Sequence, residues 1–178
     1  WSVTVGARYT EEEKDLNSRS WIVGVGNADR IANSSDNLLN EGSPSFEDDN
    51  VSYRVVLQRE FDKGMIYTSY ATGFRSGGFF NRGSTDSELA PFASEEVASF
   101  EIGMRSNPTE NSQLNVTYFS ADYSDKQTTV ITDGNDPVCG KGTAENPAAQ
   151  GVTCSFVRNA GDVSMDGIEI EAALMPTD

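Results

Sequence analysis

Two carboxylates at alternate positions, Glu169 and Glu171, have the spacing for acid–base work, because a strand places them on one face about 7 Å apart. Paired carboxylates near that separation cleave glycosidic bonds when a sugar cleft holds the substrate and raises one pKa. Nothing around Glu169 and Glu171 supplies such a cleft, so a polar lining is the better reading. The sequence contains no histidine, which removes a Ser-His-Asp triad, a Cys-His pair and a His-ligated zinc. The glycine-rich run Gly73-Phe74-Arg75-Ser76-Gly77-Gly78 lacks the Gly-Lys-Ser/Thr ending and the following helix of a phosphate loop. It reads as a strand passing into a tight turn with exposed backbone. Acidic clusters stand at Glu11-Glu12-Glu13, at Glu47-Asp48-Asp49, and at Asp133 with Asp136. None matches the twelve-residue calcium loop, and solvated surface is their default. The residues therefore predict no enzyme, no metal centre and no cofactor.

The whole composition narrows the classes further. A net charge of −15 over 178 residues offers no basic field for nucleic-acid phosphates. Mean hydropathy is −0.47, and no run approaches the roughly 20 apolar residues of a membrane helix. A strand in a barrel wall is only half apolar, however, so mean hydropathy hides it. The chain opens on Trp1, without a methionine or a signal peptide, and reads as a piece of a longer polypeptide. Cys139 and Cys154 sit in one segment rich in Gly, Pro and Asn. A disulfide across that loop would stabilise by about 3 kcal/mol and would imply an oxidising compartment. Two free structural thiols are the alternative.

The elements that must position these residues read as strands. Trp1, Val3, Val5, Ala7 and Tyr9 share one face, while Ser2, Thr4, Gly6, Arg8 and Thr10 share the other. At about 3.3 Å per residue and a tilt near 40°, this strand spans roughly 20 Å of height, close to an outer-membrane apolar band capped by aromatics. Ala98, Phe100, Ile102 and Met104 alternate with Ser99, Glu101, Gly103 and Arg105. Leu114, Val116 and Tyr118 alternate with Asn115 and Thr117, and Ile168, Ile170, Ala172 and Leu174 with Glu169, Glu171 and Ala173. Two strands are less clean. Arg59 shares the face of Tyr53, Val55, Leu57 and Phe61, and Met65 to Gly73 carries aromatics on both faces, at Tyr67 and Tyr70.

The connections are unequal. Asp62-Lys63-Gly64 and Asn107 to Ser112 are tight, whereas Glu11 to Asn50, Phe74 to Glu95 and Ile131 to Phe156 are long and polar. Strands starting at Trp1, Val51, Met65, Glu96, Gln113 and Phe156 put all the long segments at one end. Transmembrane barrels have short periplasmic turns and long extracellular loops. An open sheet of six strands leaves edge groups unpaired in lipid, so this pattern predicts one sector of a larger closed barrel.

Specific words in the sequence sharpen this. MIYTSYATGFRSGGFFN, from Met65 to Asn81, closely resembles the signature of the barrel domain of TonB-dependent outer-membrane receptors. Tyr67, Tyr70, Gly73, Phe74, Ser76, Gly77, Gly78 and Asn81 carry the match, and Phe79-Phe80 departs from the family's single residue there. Around it VGARYTEEEK, EEVASFEIGMRS, LNVTYFSADYSDKQ and NAGDVSMDGIEIEA stand in the family's order, the last with Asn159, Gly167 and Glu169. The resemblance implies an all-β, antiparallel, up-and-down transmembrane β-barrel segment, about six strands of the 22-stranded, plugged kind. Residues 1–178 would be a partial barrel domain, without the plug and the remaining strands. It also implies residence in the bacterial outer membrane and TonB-energised uptake of a ferric siderophore, cobalamin, haem or an oligosaccharide. The implied partners are outer-membrane lipid, the receptor's own plug and TonB, and an unidentified small ligand that Arg75 or Arg82 would contact if anionic. Arg8, Glu101, Arg105, Glu169 and Glu171 would face the lumen. A passive porin-like barrel and a soluble secreted carbohydrate-binding β-sandwich are the alternatives.

Overall fold

The computed structural model describes residues 1–21, 38–80, 89–132 and 154–175. One antiparallel sheet of six strands dominates. Its members are β1 (Ser2–Asp15), β4 (Ser45–Phe61), β5 (Gly64–Arg75), β6 (Glu95–Ser106), β7 (Ser112–Ser124) and β10 (Val163–Leu174), hydrogen-bonded in that order. Two ribbons stand apart from it: β2 (Ser18–Trp21) with β3 (Leu38–Gly42), and β8 (Gln127–Thr132) with β9 (Cys154–Asn159). Each ribbon lies between consecutive strands of the main sheet, so the sheet is an up-and-down meander.

The period of two holds across every pairing. Val5 opposes Val55, Leu57 opposes Thr68, Tyr70 opposes Phe100, Ile102 opposes Tyr118, and Tyr118 opposes Ile168. Side chains at directly paired positions share a face, so these residues form one continuous apolar surface. Nothing among the described residues covers it: Val5 is 69% exposed, Ile102 51% and Ile170 68%. Leu89, Ala121 and Phe156 are the only buried hydrophobics among the described residues. A sandwich would bury this face against a second sheet. None is present among the described residues.

Aromatics mark both ends of the apolar surface. Trp1 and Phe61 lie toward the short turns, and Tyr9, Tyr53, Tyr70 and Phe100 toward the other end. Arg59, the exception on this face, sits two residues before the end of β4 with its guanidinium 5.3 Å from the Trp1 ring centre. A cation over an indole at the edge of the band is a stable arrangement, and long basic side chains reach the interface from there. The short turns hold each other: Asn107 N donates to Lys63 O at 2.7 Å, and Lys63 Nζ to Pro108 O at 3.3 Å. They therefore occupy one end of the sheet.

The opposite face is polar and carries two glycines beneath aromatic rings. Tyr67 is paired with Gly103, and a Cβ there would lie 2.5 Å from the ring. The ring lies flat across β6, so that its hydroxyl reaches Thr117 Oγ1 on β7 at 3.2 Å. Phe119 covers Gly167 in the same way, with a Cβ contact of 2.8 Å. Glycine in a strand marks such close approach. Gly103→Val in the full-length protein should therefore lower stability by about 1–3 kcal/mol through overpacking. Heat-modifiable mobility on gels measures the folded fraction, and Tyr67→Ser in the same chain should restore most of it. Failure of that rescue would show that the ring contact is not the cause.

Three features depart from the sequence reading. β1 and β4 extend through the acidic clusters assigned to a loop, pairing Glu11 with Asp49, Glu12 with Asp48 and Glu13 with Glu47. Like charges directly opposite are unfavourable. Lys14 Nζ offsets part of this, 2.9 Å from Glu12. Secondly, the polar segments contain ribbons. Finally, Phe156 does not begin the sixth strand of the sheet; it belongs to β9, opposite Val130, and β10 starts at Val163. Asn81 and the loop containing Cys139 lie outside the described residues, so the expected Cys139–Cys154 disulfide does too.

Candidate functional site

At the end of the sheet away from the short turns, the glycine-rich run after β5 folds over the polar face and is tied to four other segments. Lys14 Nζ, from β1, donates to Ser76 Oγ at 2.8 Å and to Gly77 O at 2.7 Å. Gly77 N donates to Ser94 Oγ at 3.3 Å, and Ser94 Oγ donates in turn to Asp48 of β4. Gly78 and Phe92 exchange backbone hydrogen bonds of 3.1 and 2.9 Å. The approach is close enough that a Cβ on Gly77 would stand 2.2 Å from Phe92 O. Phe79 adds an edge-on contact with Phe46, ring centres 6.4 Å apart. Gly77 is therefore required by packing, because any side chain there would collide with backbone, whereas Gly78 leaves ordinary room for a Cβ.

Glu95 and Gln127 form the centre of this knot. Both are buried, at 6% and 9% exposed. Glu95 accepts from Lys126 Nζ at 2.6 Å and from Gln127 N at 2.8 Å, which satisfies both carboxylate oxygens. A charge held by charged and neutral donors in this way is stabilised despite burial. The Gln127 side-chain amide reaches Arg75 O, Ser76 O and Ala93 O at 3.2, 3.1 and 3.1 Å. Asn159 completes the set: its Nδ2 donates to Ala93 O at 3.0 Å and Asp125 O at 2.7 Å, and its Oδ1 accepts from Ala93 N at 2.9 Å. Asp125, with φ of 54°, makes the turn that brings Lys126 and Gln127 into position.

Below the knot lies a cavity of about 700 Å³ lined by Arg8, Thr10, Ser52, Arg75 and Gln127, among others. The sequence-derived residues divide between these parts. Ser76, Gly77, Gly78 and Asn159 are in the knot, whereas Gly73 and Phe74 line the cavity. Tyr70 lies on the apolar face, its ring 6.0 Å from that of Tyr53. Arg8, Glu101, Arg105, Glu169 and Glu171 all share the polar face by register. Pairing between these arginines and glutamates does not occur: no ion pair among the described residues joins them. Arg105 instead lies 5.6 Å from the Tyr67 ring centre, and Glu171 accepts from Asn115 Nδ2 at 3.2 Å. No set of three or more His, Cys, Asp or Glu among the described residues is arranged to hold a metal ion. Lys14, Glu95 and Gln127 were not singled out from the sequence, and Asp48 stood there only as a member of an acidic cluster. Glu95 opens one family-like word and Gln127 closes another, and that position was the available signal.

A meander with an uncovered apolar face, aromatics at both margins and all short turns at one end is the wall of a transmembrane β-barrel. The comparisons with known proteins agree. The profile of the family described as TonB dependent receptor-like, beta-barrel, matches residues 1–175. The chain belongs to the TonB-dependent receptor β-barrel family. A double mutant of the Serratia marcescens hemophore receptor HasR, solved with its hemophore HasA and heme, shares the fold with a TM-score of 0.56 at 13% identity. The match covers 96% of this chain and 28% of that receptor, so the chain spans little more than a quarter of the solved protein's length. No curated protein matches the chain.

Proposed function

We propose that this chain is one sector of the closed barrel of an outer-membrane receptor that imports a scarce ligand with energy delivered through TonB. The observation that carries this reading is the continuous, uncovered apolar face, which needs hydrocarbon against it. The free edges of β1 and β10 in the six-stranded sheet support a barrel completed by further strands, and in this reading the plug is supplied elsewhere in the same polypeptide. Arg8, Glu101, Arg105, Glu169 and Glu171 then face the lumen and the plug, and the knot holds the roots of the extracellular loops. Ferric siderophores, cobalamin, haem and oligosaccharides are the ligand classes, haem being the one bound beside HasR in the solved complex. The chain's role is transport and not catalysis.

In cells expressing the full-length receptor, uptake of the matching radiolabelled ligand from a panel of these four classes should fall about tenfold or more when TonB is deleted. Residual energy-independent binding at the cell surface should persist. Uptake unchanged by TonB deletion would instead establish a passive, porin-like barrel.

A further inference from the structure

Between β4 and β5 the backbone ladder stops short. Their pairing runs only from Arg54↔Ala71 to Phe61↔Gly64, although β4 reaches back to Ser45 and β5 onward to Arg75. Beyond that point β4 stays paired with β1 up to Ser45↔Asp15, and β5 with β6 up to Arg75↔Glu95. Residues 50–53 and 72–75 thus flank a seam without a ladder. Side chains span it. Tyr53 N donates to Thr72 Oγ1 at 3.0 Å. Asn50 belongs to the polar face by alternation and accepts there from Ser52 Oγ at 3.1 Å. Its Nδ2 nevertheless reaches Glu96 Oε1, on the apolar side of β6, at 3.1 Å. An amide that bonds on both faces passes through an opening.

The cavities agree with this. The one on the polar side, about 700 Å³, and one on the outer side, about 320 Å³, share Thr72 and Gly73 in their walls. The knot closes the seam above, and Arg54↔Ala71 closes it below. The seam is a window at the level of the upper aromatic margin, where Tyr53 and Tyr70 form its sill. Unpaired backbone is excluded from hydrocarbon but tolerated where it lines a cavity. The outer cavity has Val51, Ala98 and the two tyrosine rings as its apolar walls, and the carboxylates of Glu96 and Asp122 at its polar end. Among the described residues, no basic one lines it.

We propose that this seam is a lateral docking slot for a single-chain amphiphile with an ammonium head. The tail lies along the apolar face, and the head sits among the Tyr53 and Tyr70 rings, Glu96 and Asp122. Charge complementarity selects the head: the carboxylates of Glu96 and Asp122 attract an amine and repel a fatty acid, and tyrosine faces favour a cation. The proposal rests on the membrane reading above.

The test uses the full-length receptor in outer-membrane vesicles and two photoreactive probes, a diazirine-bearing hexadecylamine and the matching hexadecanoate. Peptides containing Tyr53 or Tyr70 should take up the amine about fivefold more than the acid. Glu96→Gln with Asp122→Asn should abolish that preference. Equal labelling by both probes, or a preference that survives the double substitution, would overturn the slot. A cysteine at Ile102, probed with a lipid-confined maleimide in the same vesicles, reports the membrane reading separately. If it reacts while the amine shows no preference, only the slot is lost; if it does not react, both fall.

Discussion

Arginine in place of Ile102 should destabilise the full-length receptor by about 2–4 kcal/mol, whereas arginine in place of its neighbour Glu101 should change stability by less than about 1 kcal/mol. Ile102 stands in the middle of the apolar run of β6, with Phe100 and Met104 on either side, and is 51% exposed on a face that nothing among the described residues covers. A guanidinium there must either enter hydrocarbon or drag headgroups and water inward. Glu101 is one residue away on the polar face, so an added charge meets other polar groups. Urea titration of the receptor in lipid vesicles, followed by gel mobility, measures both variants. Equal costs at the two positions would mean that the faces do not see different solvents.

The second large effect is expected at the knot. Glu95→Ala removes the acceptor of both Lys126 Nζ and Gln127 N. Lys126 is partly exposed and can turn to water, but the Gln127 N–H is buried and is left without a partner. Leaving such a donor unsatisfied costs about 1–3 kcal/mol. Because Gln127 in turn holds the carbonyls of Arg75, Ser76 and Ala93, the loss should spread. Amide hydrogen exchange in the full-length receptor should accelerate together at Gly78, Phe92 and Gln127, while β6 and β7 below Phe100 keep their protection. Glu95→Gln, which retains one acceptor oxygen, should fall between. Acceleration confined to Gln127 would show that the segments are fixed independently.

What the sequence made legible follows from where a physical constraint is local. The apolar face is imposed residue by residue, so Val3, Val5, Phe100, Ile102 and Ile170 revealed their strands by alternation alone. The tight turns were legible for the same reason, since three residues at Asp62-Lys63-Gly64 leave no room for another connection. Beyond the aromatic margin both faces meet water and the alternation vanishes. Glu11-Glu12-Glu13 then looks like loop although it is strand, and the ribbons of β2–β3 and β8–β9 left no periodic trace.

The candidate site was legible in part. The words around Gly77 and Asn159 pointed to it by resemblance, but the contacts that build it join residues far apart in the chain. Lys14 meets Ser76 across 62 positions, and Asn159 meets Ala93 across 66. No local pattern encodes such pairs. Arg59 illustrates the converse case: it violates the alternation, and only the position of Trp1 on the neighbouring strand explains why that is tolerated.

The most direct test of the membrane assignment is a cysteine scan of β6 in the full-length receptor, using a maleimide that partitions only into hydrocarbon. Single cysteines at Phe100, Ile102 and Met104 should react, and those at Ser99, Glu101 and Gly103 should not. Labelling without alternation, or with the opposite phase, would mean that this sheet does not stand in a bilayer with its apolar side outward.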